Sequence, residues 1–366
     1  MRSNQPDVID QAIVDFDVLA DWMDEQGLPS GPFSDVEPLG GGTQNVLIGF
    51  TRGGERLVLR RGPQHLRKRS NDVMRREMRV LAALRGSDVP HPGFIAGCPD
   101  ETLMGGAVFY LMEPIEGFNA TVRLPELHAG DPAIRHEMGL QTADAIARLG
   151  AVDHEAVGLA DFGKPEGFLE RQVERWQREL ASYSEHDGYP GPDIPGVDAV
   201  AEWLAVGANR PTTWRPGIMH GDYHLANVMF AFDGPRLAAI VDWEMCTIGD
   251  PLLDLGWLLA TWPHPDSPGP EVMASVVAGA IGASSGLPSP KELVAHYTER
   301  SGTSSEGRDL AAIDWYTVLA CFKLGIVLEG THARACAGKA PQAIGDLLHA
   351  TTVGLFARAQ SVIAGG

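Results

Sequence analysis

Met219-His220-Gly221-Asp222-Tyr223-His224-Leu225-Ala226-Asn227-Val228-Met229-Phe230, followed shortly by Ile240-Val241-Asp242-Trp243-Glu244, is the stretch that decides the fold. An apolar lead-in, a polar loop and a second apolar run ending in an acid read as loop, strand, turn and strand. Three groups stand out: Asp222, Asn227 five residues later, and Asp242 fifteen beyond that. Phosphoryl transfer calls for such an order. One carboxylate orients the attacking hydroxyl, and an amide and a second carboxylate hold magnesium against the nucleotide phosphates. His220, Asp222 and His224 also alternate, and H-x-D-x-H occurs as a metal-ligand cluster in hydrolases. Such a cluster needs ligands from elsewhere and has no use for an asparagine at fixed spacing, and the other ten histidines are scattered singly.

A chain of 366 residues has room for a large core and for two or three lobes or domains. Its 44% apolar and 21% charged composition is that of a globular protein. Met1 to Asp10 is polar and acidic, with no basic-then-apolar leader, and the longest apolar stretch noted, near Val272 to Ala283, is too short for a bilayer. Cys98, Cys246, Cys321 and Cys336 show no C-x-x-C pairing, so reduced thiols in a cytoplasmic protein are expected. A net charge of −19 argues against a general nucleic-acid binder. The charge is uneven. Between Arg52 and Arg85 eleven Lys and Arg face three Asp and Glu, a local +8 that leaves −27 for the remainder. The ordinary reading is a solvated basic face; the functional one is a lobe that handles phosphates.

Protein kinases carry H-R-D-x-x-x-x-N followed by D-F-G, and here H-G-D-x-x-x-x-N is followed by D-W-E. At these residues the chain resembles the aminoglycoside phosphotransferase family of kinase-like enzymes. Within it, the likeness is greatest to the branch that includes the kinase-like domain of certain acyl-CoA dehydrogenases, and it runs from about Leu39 to Arg334. The resemblance implies an α+β, protein-kinase-like fold of two lobes. Residues 1–115 would form a small antiparallel-sheet N-lobe with an N-terminal helix, a glycine loop and a phosphate grip. Residues 116–366 would form a larger, mostly helical C-lobe with the catalytic loop, the metal acid and an acceptor pocket.

Apolar positions from Val8 to Met23 recur at helical spacing, and Gly27 ends that helix. Val36 to Phe50 reads as strand, glycine turn, strand; Gly40, Gly41 and Gly42 let backbone amides approach phosphate oxygens. The turn resembles the family's G-G-x-S-N, with Gln44 where relatives commonly carry serine. Gly41, Gly42 and Thr43 are therefore expected at the nucleotide. Leu57 to Arg61 is the third strand, and Arg60 occupies the position of the kinase lysine. Arginine keeps the charge there but changes the geometry. Arg61, on the opposite strand face, suits an exposed surface role. Glu77, on a helix from about Ser70 to Leu84, would pair with Arg60; its ordinary alternative is a surface pair with a neighbouring arginine. Ala107 to Met112 would be the last small-lobe strand. Met112, Glu113 and Ile115 would form the linker whose backbone reads adenine.

From residue 133 helical periods dominate, over Ala133 to Leu149, Phe168 to Tyr183, Val197 to Val206 and Ile313 to Cys336. Asp250 suits a helix N-cap with Pro251 at the first helical position. The resemblance makes Asp254 a brace for the catalytic loop and His220 a packed residue beneath it. Asp222 is the expected catalytic group, and Asn227 and Asp242 the expected magnesium ligands. His224 reads as a loop contact, and Glu244 reaches magnesium, a substrate or only water. Lys323, Glu329 and Arg334 interrupt an apolar helix; they are paired at its rim or, with His224 and Glu244, line the acceptor pocket. The implied activity is transfer of a phosphoryl group from ATP or GTP, with Mg2+, to a hydroxyl of a small molecule. The implied partners are nucleotide and acceptor, with no nucleic acid and no membrane, on a monomer or homodimer. A kinase-like module that binds nucleotide without turnover is the alternative.

Overall fold

The computed structural model describes residues 13–40, 45–267, 279–282, 284–302 and 308–365. The chain divides into two compact units. One comprises Met1–Ser87, His91–Glu116 and Val241–Glu244; the other comprises Asp88–Pro90, Gly117–Ile240 and Met245–Gly366.

In the first unit, β1 (Phe33–Pro38), β2 (Val46–Arg52), β3 (Glu55–Arg61), β4 (Phe94–Cys98) and β5 (Phe109–Met112) form one sheet in the order β1-β2-β3-β5-β4. Every neighbouring pair is antiparallel. Gly53 and Gly54, at φ 59° and 84°, make the tight turn between β2 and β3. Two consecutive left-handed residues match the twist of the flanking strands and fix their register. Arg60 therefore lies between Leu47 and Tyr110.

Both sheet faces are covered. Leu57 and Leu59 face α1 (Phe16–Glu25), in a core with Leu19, Trp22, Met23, Phe50, Phe109 and Leu111. Burying each leucine there contributes about 1.5–3 kcal/mol. The side chain of Asp15 caps α1 by accepting from the amides of Asp17 and Val18, and Gly27 closes it at φ 67°. The part of the expected helix before residue 13 lies outside the described residues. On the other face, α2 (Ser70–Ala83) buries Met74, Glu77, Met78, Val80 and Leu81. Asn71 ties its first turn to the sheet, donating to Gly106 O at 2.8 Å and accepting from Val108 N at 3.1 Å.

The double cover overturns one expectation. Arg61 is 3% exposed rather than a surface arginine, because α1 occupies the face onto which it points. Its Nη2 donates to Met104 O at 3.3 Å.

The second unit is mainly helical: α3 (Glu126–Gly130), α4 (Pro132–Ala151), α5 (Gln172–Ser182), α6 (Val197–Ala205), α7 (Leu252–Ala260), α8 (Pro290–Ser301), α9 (Ile313–Cys336) and α10 (Gln342–Gly365). The expected helix from Phe168 begins only at Gln172, because Gly167, at φ 60°, first closes a turn. Much of the apolar stretch from Val272 lies outside the described residues. The segment Leu310–Cys336, which contains α9, is long and apolar enough to cross a membrane by length and composition. In this fold it is packed: Trp315, Tyr316, Phe322 and Ile326 are buried, and Gly256 of α7 lies against the Tyr316 backbone. Two short antiparallel ribbons complete the unit, β6 (Gly217–Met219) with β9 (Thr247–Gly249) and β7 (Val228–Phe230) with β8 (Leu237–Ile240). The polar loop 220–227 joins the first ribbon to the second.

Candidate functional site

In the first unit the site is built on β3 and α2. Arg60 and Glu77 form a forked pair, Nε to Oε2 at 3.0 Å and Nη2 to Oε1 at 2.8 Å. The fork matches a carboxylate edge, and both side chains are buried, so little of the attraction is lost to water. Burial opposes the charge on Arg60, but Glu77 and then Asp242 outweigh it and hold the guanidinium protonated. Burial also pushes the Glu77 carboxyl up, against the pull of Arg60.

The same Nη2 lies 3.3 Å from Asp242 Oδ1 and 3.6 Å from Glu244 Oε1. Asn45 Nδ2 donates to that Glu244 oxygen at 2.6 Å. Asp242 sits at φ 65°, a left-handed conformation seldom taken by residues with a Cβ and best tolerated by Asp and Asn. Three carboxylates thus surround one guanidinium, with ligand oxygens of Glu77, Asp242 and Glu244 within 4.8 Å of one another. An all-oxygen acidic cluster suits a hard divalent cation such as magnesium. Glu77 is committed to Arg60, whereas the Asp242 side chain is 47% exposed, which makes Asp242 the member best placed to hold an ion.

Along the linker, Met112 is buried against Val58 and Phe94, and the Glu113 amide donates to Gly93 O at 2.8 Å. Ile115 is half-buried. Gly41, Gly42 and Thr43 lie outside the described residues.

In the second unit the polar loop is held from below. Asp254, in the first turn of α7, accepts from His220 N at 2.6 Å and from Gly221 N at 2.8 Å. Burial pushes its carboxyl up to about 7 despite those two donors. Asp250 positions α7 in turn, accepting from Leu252 N at 3.0 Å and from the Tyr316 hydroxyl at 2.6 Å. The helix starts at Leu252, one residue later than expected, so Pro251 takes the N-cap position and Asp250, one residue before it, still accepts from Leu252 N. Gly221 is at φ 86°, and a Cβ there would overlap Met245 O. Its carbonyl accepts from Lys323 Nζ at 2.9 Å. Lys323 lies 4.3 Å over the Trp257 ring, and burial pushes its ammonium down to about 8 against the pull of Asp222 and Asp254. Beneath the loop these groups enclose a cavity of about 30 Å³ lined by Gly221, Asp254, Trp257 and Lys323.

At the top of the loop, Asn227 Nδ2 donates to Asp222 O at 2.8 Å and to Asp222 Oδ2 at 3.1 Å. His224 Nδ1 accepts from Ala226 N at 3.2 Å. That bond assigns the proton of a neutral ring to Nε2, which lies 3.4 Å from Asp222 Oδ1. Burial alone would raise the Asp222 carboxyl; His224, then His220 and Lys323, outweigh it and hold the group below the usual carboxylate range. Because the Asn227 amide nitrogen is engaged, its carbonyl oxygen is the atom suited to a cation. His220 is fully buried, and the neighbouring Tyr223 hydroxyl donates to Thr142 O at 2.8 Å.

A carboxylate, an amide and a braced backbone in one loop, with a forked Arg–Glu pair elsewhere in the chain, are a set of groups suited to phosphoryl transfer. The model of the phosphotransferase enzyme family, APH, matches residues 35–292. The chain belongs to this family. Acyl-CoA dehydrogenase family member 11 of Gallus gallus is 29% identical over 316 residues, 85% of this chain and 38% of that protein. Family member 10 of Mus musculus is 27% identical over 293 residues, 78% of this chain and 25% of that protein. The chain thus spans little more than a third, or less, of these curated relatives.

Among solved structures, a Ralstonia eutropha JMP134 protein provisionally assigned as an aminoglycoside phosphotransferase is 28% identical, with a TM-score of 0.76 over 96% of this chain and 98% of that one. Aminoglycoside phosphotransferase APH(4)-Ia, solved with ADP and hygromycin B, matches at 14% identity and a TM-score of 0.53, over 91% and 98% of the two chains. Choline kinase of Cryptosporidium parvum matches at 12% and 0.59, over 96% and 97%. These last two show the kinase-like fold alone.

Within this phosphotransferase, the five residues expected at an acceptor pocket separate. Glu244 belongs to the Arg60 cluster, His224 pairs with Asp222, and Lys323 lies under Gly221. Glu329 is fully buried and committed to Tyr189 and His349, while the exposed Arg334 donates to Thr331 Oγ1. Three supporting residues escaped the sequence reading. Asn45 does have a signal, since it matches the asparagine of the family's G-G-x-S-N turn. Tyr316, and Asn119, whose Nδ2 donates to Ala226 O at 2.6 Å, have none.

Proposed function

We propose that this phosphotransferase moves the γ-phosphoryl group of ATP to a hydroxyl of a small molecule, with magnesium. The acceptor oxygen forms a bond to the γ-phosphorus, the bond to the bridging β-phosphate oxygen breaks, ADP leaves, and the hydroxyl proton passes to Asp222 or to water. Asp222 accepts the hydroxyl's hydrogen bond and aims its oxygen; with its carboxyl held low, it serves orientation more than proton abstraction. Arg60, fixed by Glu77, steadies the phosphates. Asn227 and Asp242 would hold magnesium, which when bound neutralises the phosphate oxygens. The Glu113 carbonyl and the Ile115 amide are the linker groups suited to the base, since the Glu113 amide already donates to Gly93.

The observation that carries this reading is the buried Arg60–Glu77 fork with Asp242 on the same guanidinium. A lysine in the kinase position would make one such contact; arginine makes two and still reaches the metal acid. We favour an anionic acceptor such as a hydroxyacyl-CoA over an aminoglycoside. The local +8 between Arg52 and Arg85 and the acyl-CoA dehydrogenase names of the relatives support it.

The test is nucleotide consumption with magnesium, ATP and GTP being screened against hydroxyacyl-CoAs, aminoglycosides, macrolides and amino alcohols, with Asp222→Asn as control. Acceptor-dependent turnover that disappears in the control is expected. Efficient turnover with kanamycin would overturn the acceptor class. Tight nucleotide binding without turnover on any acceptor would favour a non-catalytic module.

A further inference from the structure

Glu329 does not join the loop residues, and its surroundings form a second polar centre. Its side chain is fully buried; Oε1 accepts from the Tyr189 hydroxyl at 2.7 Å, and Oε2 lies 2.8 Å from His349 Nδ1. His332, one turn further along α9, has its ring centroid 4.7 Å from that of His349. Cys336 Sγ lies 3.6 Å from His332 Nε2, and the Asp346 carboxylate is 3.7 Å from His332 Nδ1, too far for a hydrogen bond. That Nδ1 is out of contact with water and has no hydrogen-bond partner. One ligand atom from each of Glu329, His332 and His349 lies within 4.8 Å of the other two.

We propose that Glu329, His332 and His349 form a site for a divalent transition-metal ion, zinc above all, that ties α9 to α10. The spacing Glu329-x-x-His332 places both groups on one face of α9. His349 comes from α10, which closes on α9 because Gly345 has no Cβ to meet Ala335 and the His332 backbone. Two imidazoles and a carboxylate make a zinc ligand set, whereas magnesium and calcium take oxygens. Ligand bonds of about 2.0–2.2 Å in a tetrahedral site put ligand atoms roughly 3.5 Å apart, so small side-chain movements complete it. A plain Glu–His pair accounts for Glu329 and His349 but leaves the buried His332 nitrogen with nothing to bond. Tyr189 supplies the outer hydrogen bond that orients a metal-binding carboxylate. The fourth position is left to water, on the Asp346 side of the His332 ring.

The test uses the full chain stripped of metal. Zinc alone is added, binding is followed by equilibrium dialysis with metal quantification, and thermal denaturation is recorded with zinc and with magnesium. One zinc per chain is expected, with Tm rising for zinc and not for magnesium. His332→Ala and His349→Ala should each abolish stoichiometric binding. Tyr189→Phe should weaken it roughly 10–100-fold, and Asp222→Asn should leave it unchanged. Should a histidine variant fail to fold, the zinc affinities of Tyr189→Phe and Glu329→Gln decide. No stoichiometric binding to the stripped chain overturns the proposal. So does binding that survives both histidine substitutions or is lost in Asp222→Asn, which would place the ion at His220, Asp222 and His224.

Discussion

The two polar centres proposed for phosphoryl transfer are held in opposite ways. In the first unit, Arg60 and Glu77 stand on a regular strand and a regular helix, and charge meets charge directly. In the second, Asp222 and Asn227 lie in an irregular loop, positioned through backbone amides by a carboxylate on another helix and through a carbonyl by a lysine. The first arrangement rests on regular elements; the second rests on a buried carboxylate and a half-buried lysine. Damage should therefore spread differently, through folding at the Arg60–Glu77 pair and through turnover at the Asp222 loop.

The largest expected effect is on stability. Arg60→Met leaves Glu77 buried without its counter-charge and should destabilise the fold by about 3–5 kcal/mol, measured by urea unfolding. Arg60→Met with Glu77→Leu should recover most of that loss while activity stays low. A double variant as unstable as the single would show that the pair is not an isolated charge couple. Next come the groups proposed to meet the hydroxyl and the magnesium. Asp222→Ala and Asp242→Ala should each lower kcat by roughly 10²–10³-fold with the unfolding midpoint little changed. Near-normal turnover in Asp242→Ala would remove it from the metal role.

The smallest effect should be a pH dependence in the second centre. Lys323 is pushed down to about 8 from 10.5. Between those values the unfolded chain holds a proton the folded chain has lost, so this group's contribution to stability rises with pH across that window. Activity should move the other way. As the ammonium deprotonates above about pH 8, kcat should fall by roughly tenfold, the worth of one charge-assisted hydrogen bond. Lys323→Met should flatten both slopes; an unchanged alkaline limb would place the titrating group elsewhere.

The same contrast explains what the sequence could disclose. The resemblance to the kinase plan implies the Arg60–Glu77 pair, helical periodicity puts Glu77 near the buried stripe of α2, and the two side chains do meet. Asp222 and Asn227 share one loop, where the five-residue spacing brings the Asn227 amide onto Asp222, whereas Asp242 follows β8 and belongs to the first unit. Arg61 was misread because alternation gives a face without saying what covers it, and α1 comes from a distant part of the chain. Lys323, Glu329 and Arg334 were grouped for lying on one helix with charge. Within twelve residues of α9, however, they address three surroundings: the loop, a histidine pair and solvent. His332 and His349 stand singly in the sequence, and the packing of α10 on α9 makes them neighbours.

The turn at Gly53 and Gly54 has a consequence for how β3 stores its information. Leu57, Val58 and Leu59 are all apolar and Arg60 and Arg61 are both basic, so the strand reads almost alike from either side. A slip of one residue would exchange the faces while keeping grease against grease and presenting an arginine to α2 still. The parity of the strand is therefore not written in the strand. It is delegated to a two-glycine hinge that counts residues, and checked by a single carboxylate, Glu77, seventeen positions downstream of Arg60.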